Sequence, residues 1–391
     1  MFTESDEKLK ELGADITVRE VQQQPELWQE AYDNYVEQRE KITEFLNAIT
    51  AKHDRIRVVF AGAGTSAFVG ETIVPHLAEV NDQKKWEFRA VATTDIVGTP
   101  EKFLQHDIPT ILVSFARSGN SPESVATVEI AEQLVDDLYQ MTITCAPDGK
   151  LAQKAEKESD NLLLLQPAGS NDKGFAMTGS YSCMALTALL VFDTASEADK
   201  KHYVETIIEA GHSIIEREED IQAVANLDFE RVIYLGSGGF FGLSRETQLK
   251  ILELTAGKIA TQYETPIGFR HGPKSLVDEK TVVMTYVSNN AYTDLYDADL
   301  VNEVYHDEIA EKVLALTAEK RDKIDADQFV VAHGTESLPD VYLSFPYVMF
   351  GQTFAVMTAI KIGNTPDTPS PSGTVNRVVQ GVIIHPLGEE A

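Results

Sequence analysis

Cysteine, positive charge and long apolar runs are all scarce in this chain of 391 residues. Cys145 and Cys183 are too few for a disulfide scaffold or a four-thiolate metal site, so a reducing compartment is expected. The 62 acidic against 33 basic side chains give a formal net charge of −29. This excess disfavours nucleic acid or an anionic membrane as partner, because both require clustered cations. An anionic ligand would have to be held by local donors.

Neither a leader peptide nor a membrane anchor is predicted. The chain begins Met-Phe-Thr-Glu-Ser-Asp-Glu, which is polar and acidic, unlike a secretion signal. The most apolar runs, residues 183–192 and 347–360, fall short of the roughly 18 to 20 residues that cross a bilayer. We expect both runs to form buried helices and the protein to be cytoplasmic.

The sequence contains an internal repeat. Residues 57–64 match residues 231–238 at an offset of 174, and each is a β-branched run that ends in Gly-x-Gly. At an offset of 171, residues 111–115 match 282–286, and residues 186–188 match 357–359. Three matches in the same order predict a duplicated domain of about 150 residues.

The pattern within the first copy predicts an α/β fold with a parallel sheet and helices on both faces, because short apolar runs alternate with helical segments. The predicted strands are residues 58–61, 88–92, 110–115, 141–144 and 162–165. Residues 5–50 and 195–227 have helical patterns, whereas the proline-rich residues 364–373 must form a loop. We predict an N-terminal helical segment (1–50), a first domain (51–205) and a second domain (226–391).

The first glycine-rich loop, Gly62-Ala63-Gly64-Thr65-Ser66-Ala67, formally matches a dinucleotide-binding fingerprint. That fingerprint also requires an acidic residue about 20 positions later. Asp95 is the first acidic residue after the next predicted strand, and it lies 33 residues after Gly62. We therefore predict neither a nicotinamide nor a flavin cofactor.

The second loop, Ala-Arg-Ser-Gly-Asn-Ser-Pro-Glu at 116–123, predicts an anion-binding site. Ser121 suits a helix N-cap and Pro122 the first helical position. Gly119 lets the backbone approach a ligand, and the hydroxyls and the helix N-terminus supply donors. A simple strand-to-helix turn with a capping serine is the alternative. Residues 287–290 of the second copy lack the glycine and one hydroxyl, so the copies have diverged in role.

The second copy carries the titratable groups. Lys250 and Glu253 are three residues apart, hence on one helix face, and His271 ends a short loop further on. A carboxylate, a cation and an imidazole near the carboxyl ends of parallel strands can move a proton next to a carbonyl. A solvated helix glutamate and a turn histidine are the alternative roles. Metal-ligand spacing of the His-x-x-x-His kind is absent, so we predict no metal.

These motifs together resemble the sugar isomerase (SIS) family: Gly-Thr-Ser at 64–66, Ser-Gly-x-Ser at 118–121, and Lys-x-x-Glu followed by His-Gly-Pro. The arrangement of two such domains is similar to the isomerase half of glucosamine-6-phosphate synthase. The tail Pro-Ser-Gly-Thr-Val-Asn-Arg-Val-Val-Gln-Gly at 371–381 resembles the AgaS branch, whose members are named tagatose-6-phosphate ketose/aldose isomerases or galactosamine-6-phosphate deaminases. The resemblance covers about residues 56–386.

The resemblance implies a role for each motif. The residues expected to bind the substrate phosphate are Thr65, Ser66, Arg117, Ser118 and Ser121. Glu253 is the expected base that carries a proton between C1 and C2, accompanied by Lys250. His271 is the expected ring-opening imidazole, which in the synthase comes from the neighbouring subunit, so a homodimer is implied.

Two departures from the synthase pattern stand out. Ala116 and Arg117 replace a serine and a glutamine of the phosphate loop, which would place a cation on the phosphate. The synthase's catalytic lysine near the C-terminus has no counterpart, because the aligned residue is about Thr374. Lysine-assisted ring opening is therefore in doubt.

The function expected from the resemblance is conversion of galactosamine 6-phosphate to tagatose 6-phosphate and ammonia, without a cofactor. The absence of a glutaminase domain, and so of an internal ammonia source, favours this direction. A simple aldose–ketose isomerase of a hexose 6-phosphate is one alternative. A sugar-phosphate sensor without turnover is another, although the acid-rich residues 1–50 do not resemble a basic DNA-binding domain.

Overall fold

The computed structural model describes residues 1–370, 372–373, 375–379 and 381–388 and contains two parallel sheets of five strands. The first sheet consists of β1 (Ile56–Gly62), β2 (Trp86–Ala92), β3 (Thr110–Ala116), β4 (Leu138–Thr144) and β5 (Asn161–Leu165). The second consists of β6 (Arg231–Gly236), β7 (Ala260–Glu264), β8 (Thr281–Tyr286), β9 (Lys312–Thr317) and β10 (Asp327–Val330). Their orders, β2-β1-β3-β4-β5 and β10-β9-β8-β6-β7, are equivalent, which confirms the predicted duplication.

Helices cover the sheets and form the expected N-terminal segment and connector. The helices before and within the first copy are α1 (Asp6–Leu12), α2 (Asp15–Gln22), α3 (Gln24–Thr50), α4 (Thr65–Val80), α5 (Thr93–Gly98), α6 (Pro100–Phe103), α7 (Pro122–Leu134), α8 (Lys150–Ala155) and α9 (Gly179–Phe192). Those that follow are α10 (Glu197–Glu216), α11 (Glu218–Ala225), α12 (Gly239–Leu254), α13 (Pro266–Phe269), α14 (Thr293–His306) and α15 (Asp340–Lys361). The α/β class is therefore confirmed.

The described residues divide into two compact units that do not follow chain order. The β1–β5 unit contains residues 30–172, 179–195 and the described residues from 373 onwards. The β6–β10 unit contains residues 1–29, 173–178 and the described residues of 196–372. The N-terminal helical segment is thus shared, since the division falls within α3, and the end of the chain belongs to the unit of the first sheet.

In the β1–β5 unit, the strand order brings two loops to one edge of the sheet. β1 pairs with β2 on one side and with β3 on the other. Chain order therefore reverses between β1 and β3, and in open parallel sheets ligands bind outside the carboxyl ends of the strands at such a point. The loops that follow β1 and β3 are the two glycine-containing loops singled out in the sequence.

In the β6–β10 unit, the two faces of the sheet carry different helices. Successive strand residues point to opposite faces. Tyr234 and Tyr286 stack with Phe240 of α12 and Tyr347 of α15 on one face. The other face packs against α13 and α14 in a buried apolar cluster. This cluster includes Ile233, Leu235, Phe269, Val283, Ala298, Val301 and Val304. Helix α12 is therefore separated from α13 and α14 by the sheet.

Both apolar runs form buried helices, as predicted. Every residue of α9 is buried. Helix α15 has 22 residues and is long and apolar enough to cross a membrane, but 94% of its apolar window is buried inside the protein. Its length exceeds the predicted run because residues 340–346, where Asp340, Ser344 and Pro346 interrupt the apolar pattern, and the exposed Lys361 also belong to the helix.

Candidate active site

The loop after β1 turns sharply into α4 and buries two hydroxyl residues. Gly62 is required because a Cβ atom there would clash with the backbone of Ser66. Gly64 adopts a φ of 55°, which only glycine tolerates well before the helix. Thr65 and Ser66 then form the first turn of α4 and are both buried. Their side chains are thus at the helix N-terminus, where anions are favoured.

The loop after β3 has the glycine turn and the helix N-terminus that the predicted anion site, here called the cradle, requires. Gly119 has a φ of 65°, and Ser121 and Pro122 occupy the N-cap and first helical positions of α7, as predicted. The expected capping hydrogen bond is not formed, however, because the Ser121 side chain accepts from no backbone N–H of the helix. The Ser118 hydroxyl accepts from the N–H of Asn120 at 3.3 Å. Within the described part of the chain, the Ser121 hydroxyl is therefore not used as a cap.

Asn120, which the sequence analysis did not single out, fixes this loop. Its amide donates to the Ser118 carbonyl at 3.0 Å, and its carbonyl oxygen accepts from the N–H of Lys150 at 3.1 Å. Leu151 also donates to the Gly119 carbonyl at 3.2 Å. The loop after β4 therefore supports the cradle, and the Asn within Ser-Gly-Asn-Ser was the available signal.

Arg117 connects the cradle to the end of the chain. Its side chain is only 7% exposed and donates from Nη2 to the Arg377 carbonyl at 2.6 Å. Arg377 in turn donates from Nε to the Asp172 carbonyl at 2.9 Å. The guanidinium of Arg117, predicted to contact phosphate, thus forms a bond within the protein. Thr374, aligned with the synthase lysine, lies outside the described residues.

Lys250 and Glu253 are in contact, as their spacing predicts. The Lys250 Nζ atom lies 2.8 Å from Oε2 of Glu253 and 3.4 Å from Oε1 of Glu246. Lys250 and Glu246 are almost fully buried, whereas the Glu253 side chain is 23% exposed. The buried ammonium thus orients a carboxylate that still reaches solvent, as a proton-transferring base requires.

The position expected for this pair is corrected by the structure. Glu253 lies in the last turn of α12, whose start follows the carboxyl end of β6. At about 1.5 Å per residue, Glu253 is roughly 20 Å along the helix from that edge. The pair therefore lies towards the amino ends of the strands, because the helix runs back along the sheet. Asn364 confirms this position, since it follows α15 and donates to the Leu254 carbonyl at 2.6 Å.

His271 lies on the other face of the second sheet from Glu253. It is exposed and follows α13, whose Phe269 is buried in the cluster with α14. Its neighbours are held by salt bridges, since Arg270 and Lys274 contact Glu303 at 2.6 and 2.5 Å. Hydrogen bonds from Lys274 and then Arg270 lower the pKa of Glu303 in spite of its partial burial. The structure therefore does not bring His271 and Glu253 of one chain together.

The loop after β8, equivalent to the cradle, is filled by two carboxylates. Asp297 accepts from the Ser288 N–H at 3.0 Å and from the Ser237 hydroxyl at 2.8 Å. Asp340 accepts from the Ser288 hydroxyl at 2.5 Å and from the Asn289 N–H at 2.7 Å. Burial raises the pKa of Asp297 to about 7, against the effect of those donors. Sequence reasoning missed both carboxylates, although Asp297 replaces Ala126 at the offset of 171.

Titratable metal ligands do not cluster in the described ranges. No group of three or more His, Cys, Asp or Glu residues there is placed to hold a metal ion. Cys145 and Cys183 are both free and buried, and burial raises the pKa of Cys145 to about 12. Neither thiol is therefore suited to act as a nucleophile. The chemistry available is that of hydroxyl and amide donors, carboxylates and an imidazole.

Two parallel sheets of the same order, with hydroxyl-bearing loops after β1 and β3, define a tandem SIS-domain protein of the sugar isomerase class. No family model matches the chain. D-galactosamine-6-phosphate deaminase AgaS of Escherichia coli is 44% identical over 372 residues, 95% of each chain. The chain belongs to the AgaS family.

Solved structures agree with this assignment. A structure from Clostridium novyi NT, named as a tagatose-6-phosphate ketose/aldose isomerase, has a TM-score of 0.94 and 43% identity and covers 99% of both chains. The tagatose-6-phosphate ketose/aldose isomerase of Escherichia coli has a TM-score of 0.86 and 39% identity, covering 95% of this chain and 97% of that one. The resemblance to the SIS family is therefore confirmed, and with it the assignment of the chain as an enzyme.

Proposed function

We propose that this enzyme converts galactosamine 6-phosphate to tagatose 6-phosphate and ammonia. The likeness to the deaminase over 95% of both chains carries the choice of substrate. The Lys250–Glu253 pair supports the reaction type, because a held and partly exposed carboxylate can take up and return a proton. The site residues predicted from sequence are proposed here in the roles that follow.

In the proposed reaction, the hydroxyls of Thr65, Ser66, Ser118 and Ser121 bind the substrate phosphate. Two helix N-termini add backbone donors and a favourable dipole, those of α4 and α7. Such short-range donors are needed because a net charge of −29 repels a phosphate dianion at long range. Arg117 adds a cation to the phosphate site, and its bond to the Arg377 carbonyl steadies this loop.

The chemistry is a proton transfer followed by hydrolysis. His271 opens the sugar ring by proton transfer, which exposes the C1 aldehyde. Glu253 then removes the proton from C2, and the electron pair forms the C1–C2 double bond. The C1 oxygen takes up a proton from water, which gives an enolamine with a C1 hydroxyl. Return of the proton to C1 gives an imine at C2. Water adds to that imine and ammonia leaves, which yields the C2 ketone of the ketose phosphate.

We also propose that the enzyme is a homodimer in which His271 serves the site of the other subunit. Glu253 and His271 lie on opposite faces of the second sheet of one chain, as the packing of α12 and α13 shows. A sugar that meets both groups must therefore take one of them from a second subunit. His271 is exposed and lies between two exposed apolar residues of its loop, Ile267 and Leu276.

A cytoplasmic location is the remaining part of the proposal. Both cysteines are free and buried, which suits a reducing compartment. A phosphorylated sugar is also a substrate typical of the cell interior.

Simple aldose–ketose isomerisation is the second candidate, favoured by the names of the two similar solved structures. It uses the same phosphate binding, ring opening and proton transfer, but no amino group and hence no hydrolysis. The two reactions are distinguished by ammonia, which only the deamination releases.

Purified protein should be assayed for ammonia and ketose phosphate with galactosamine, glucosamine and N-acetylgalactosamine 6-phosphates and with tagatose 6-phosphate, without added cofactor. We expect equal amounts of ammonia and ketose phosphate from galactosamine 6-phosphate. Turnover of tagatose 6-phosphate alone would favour the isomerase. Binding without turnover of any of these sugars would contradict both proposals.

A further inference from the structure

The loop that carries His271 is fixed on its two sides in different ways. Before His271, Phe269 is fully buried in the cluster that contains α14. After His271, Gly272 has a φ of 128° and the chain turns away through a short 3-10 helix, Pro273–Leu276. None of the residues of that short helix is buried, so apolar packing alone holds this side weakly.

Four charged side chains, here called the ionic clamp, hold the loop to α14. They are Arg270, Lys274, Glu303 and Asp307. Glu303 uses both carboxylate oxygens, accepting from Arg270 Nε at 2.6 Å and from Lys274 Nζ at 2.5 Å. Asp307 contacts Lys274 at 2.6 Å. Glu303 thus joins Arg270, immediately before His271, to Lys274, three positions after it.

The support for Glu303 is rigid. Val301 and Val304, which flank it on α14, are buried in the core of the unit. The four clamp side chains are each about one-third exposed. Ion pairs at such positions contribute little to global stability. Their effect should therefore be on the placement of the loop.

We propose that Glu303 is a positioning residue that holds His271 in its catalytic orientation through Arg270 and Lys274. The inference rests on the proposed function, because it assumes that His271 opens the sugar ring. A small displacement of a catalytic group reduces turnover strongly. Loss of Glu303 should thus lower kcat while leaving phosphate binding, and so KM, nearly unchanged.

The test compares Glu303→Ala and Glu303→Gln with a control, Asp327→Ala. Asp327 also forms an exposed ion pair, with Lys312, but it lies on β10 at the other edge of the sheet from β7. We expect Glu303→Ala to lower kcat about 10- to 100-fold. Glu303→Gln should recover part of that loss because it can still accept one hydrogen bond. Asp327→Ala should match the wild type.

A double-mutant cycle with His271→Asn shows whether Glu303 acts through His271. We expect Glu303→Ala to have almost no further effect on kcat in the His271→Asn protein. The inference would be overturned if the double variant lost kcat by the product of the two single-variant factors. It would also be overturned if Glu303→Ala had the same kcat as Asp327→Ala. Near-normal turnover of His271→Asn would overturn it too, since Glu303 would then have no catalytic group to hold.

Hydrogen exchange of residues 268–276 separates this inference from the proposed function. Glu303→Ala should exchange faster there than the wild type, and Asp327→Ala should not. Unchanged exchange would show that Glu303 does not hold the loop, whatever the activity. If the wild type released neither ammonia nor ketose from any phosphosugar, the proposed function would fail, and the exchange result would still decide whether Glu303 holds the loop.

Discussion

The loops after β3 and β8 occupy equivalent places in the two copies, yet their serine residues have different hydrogen-bond partners. In the first copy, Ser121 at the start of α7 makes no capping bond. In the second copy, Ser288 is bonded through its N–H and its hydroxyl to Asp297 and Asp340. Two carboxylates of the protein therefore occupy donors of the second loop, whereas the Ser121 hydroxyl of the first loop is not used as a cap.

This difference supports the expectation that the two copies have different roles. A carboxylate that accepts from the loop occupies donors that a phosphate would need and, when ionised, repels the phosphate. We therefore expect the first copy to bind the phosphate and the second copy to supply the Lys250–Glu253 pair. The predictions that follow test this division by changing residues of the two copies.

The largest effect is expected for Glu253→Gln. A positioned base contributes about 10²- to 10⁴-fold to turnover, so kcat should fall by that amount with little change in KM. The matched control is Glu79→Gln, because Glu79 is the counterpart of Glu253 at the offset of 174 and lies exposed on α4.

Steady-state kinetics of the two variants show whether turnover depends on Glu253 and not on Glu79. Equal losses at positions 79 and 253 would show that catalysis is not confined to the second copy. Near-normal turnover by Glu253→Gln would remove that residue from the mechanism.

The next largest effect is expected in phosphate binding. A hydrogen bond to a charged group contributes about 1.5 to 3 kcal/mol, so Ser118→Ala with Ser121→Ala should raise KM about 100-fold or more. The unfolding temperature should change little, because Ser121 makes no capping bond and the Ser118 hydroxyl accepts one exposed bond of 3.3 Å from the Asn120 N–H.

Ser288→Ala is the control from the second copy. It removes the hydroxyl that donates to Asp340, so it should lower the unfolding temperature but leave KM unchanged. A raised KM in Ser288→Ala, or a normal KM in the double variant, would reverse the roles assigned to the two loops.

A smaller effect is expected in the pH dependence of stability. Burial raises the pKa of Asp297 from 3.8 to about 7, so the folded state holds this proton more tightly than the unfolded state. The stabilisation is complete below about pH 4 and is lost as the pH rises through about 7. Relative to Asp297→Asn, the wild-type free energy of unfolding should fall by about 2 to 3 kcal/mol between pH 5 and pH 8.

Denaturant unfolding at several pH values measures this difference. Asp228→Asn is a suitable control because Asp228 is exposed and its hydrogen bond from Lys280 lowers its pKa, away from this range. Parallel curves for the wild type and Asp297→Asn would show that Asp297 is already ionised at pH 5.

The architecture could be predicted from the sequence because the strands are apolar on both faces and repeat at nearly constant spacing. Strand β3 is buried at every position, and its predicted run of 110–115 ends one residue before the observed end. Strand β4 begins three residues earlier than predicted, since its half-buried Leu138 and Tyr139 and its buried Gln140 interrupt the apolar pattern.

The site was predictable only in part. The contact between Lys250 and Glu253 could be predicted from their spacing, because three residues make nearly one helical turn. The edge at which they lie could not be read from spacing, since it depends on the length of α12. The bond from Arg117 to Arg377 joins residues 260 positions apart, and no local pattern encodes such a contact.

The number of phosphosugar molecules bound per chain tests the division between the two copies most directly. Titration calorimetry with galactosamine 6-phosphate on the Glu253→Gln protein avoids turnover during the measurement. We predict one molecule per chain, lost when Ser118→Ala and Ser121→Ala are added and retained with Ser288→Ala. Two molecules per chain, or binding abolished by Ser288→Ala alone, would contradict the account.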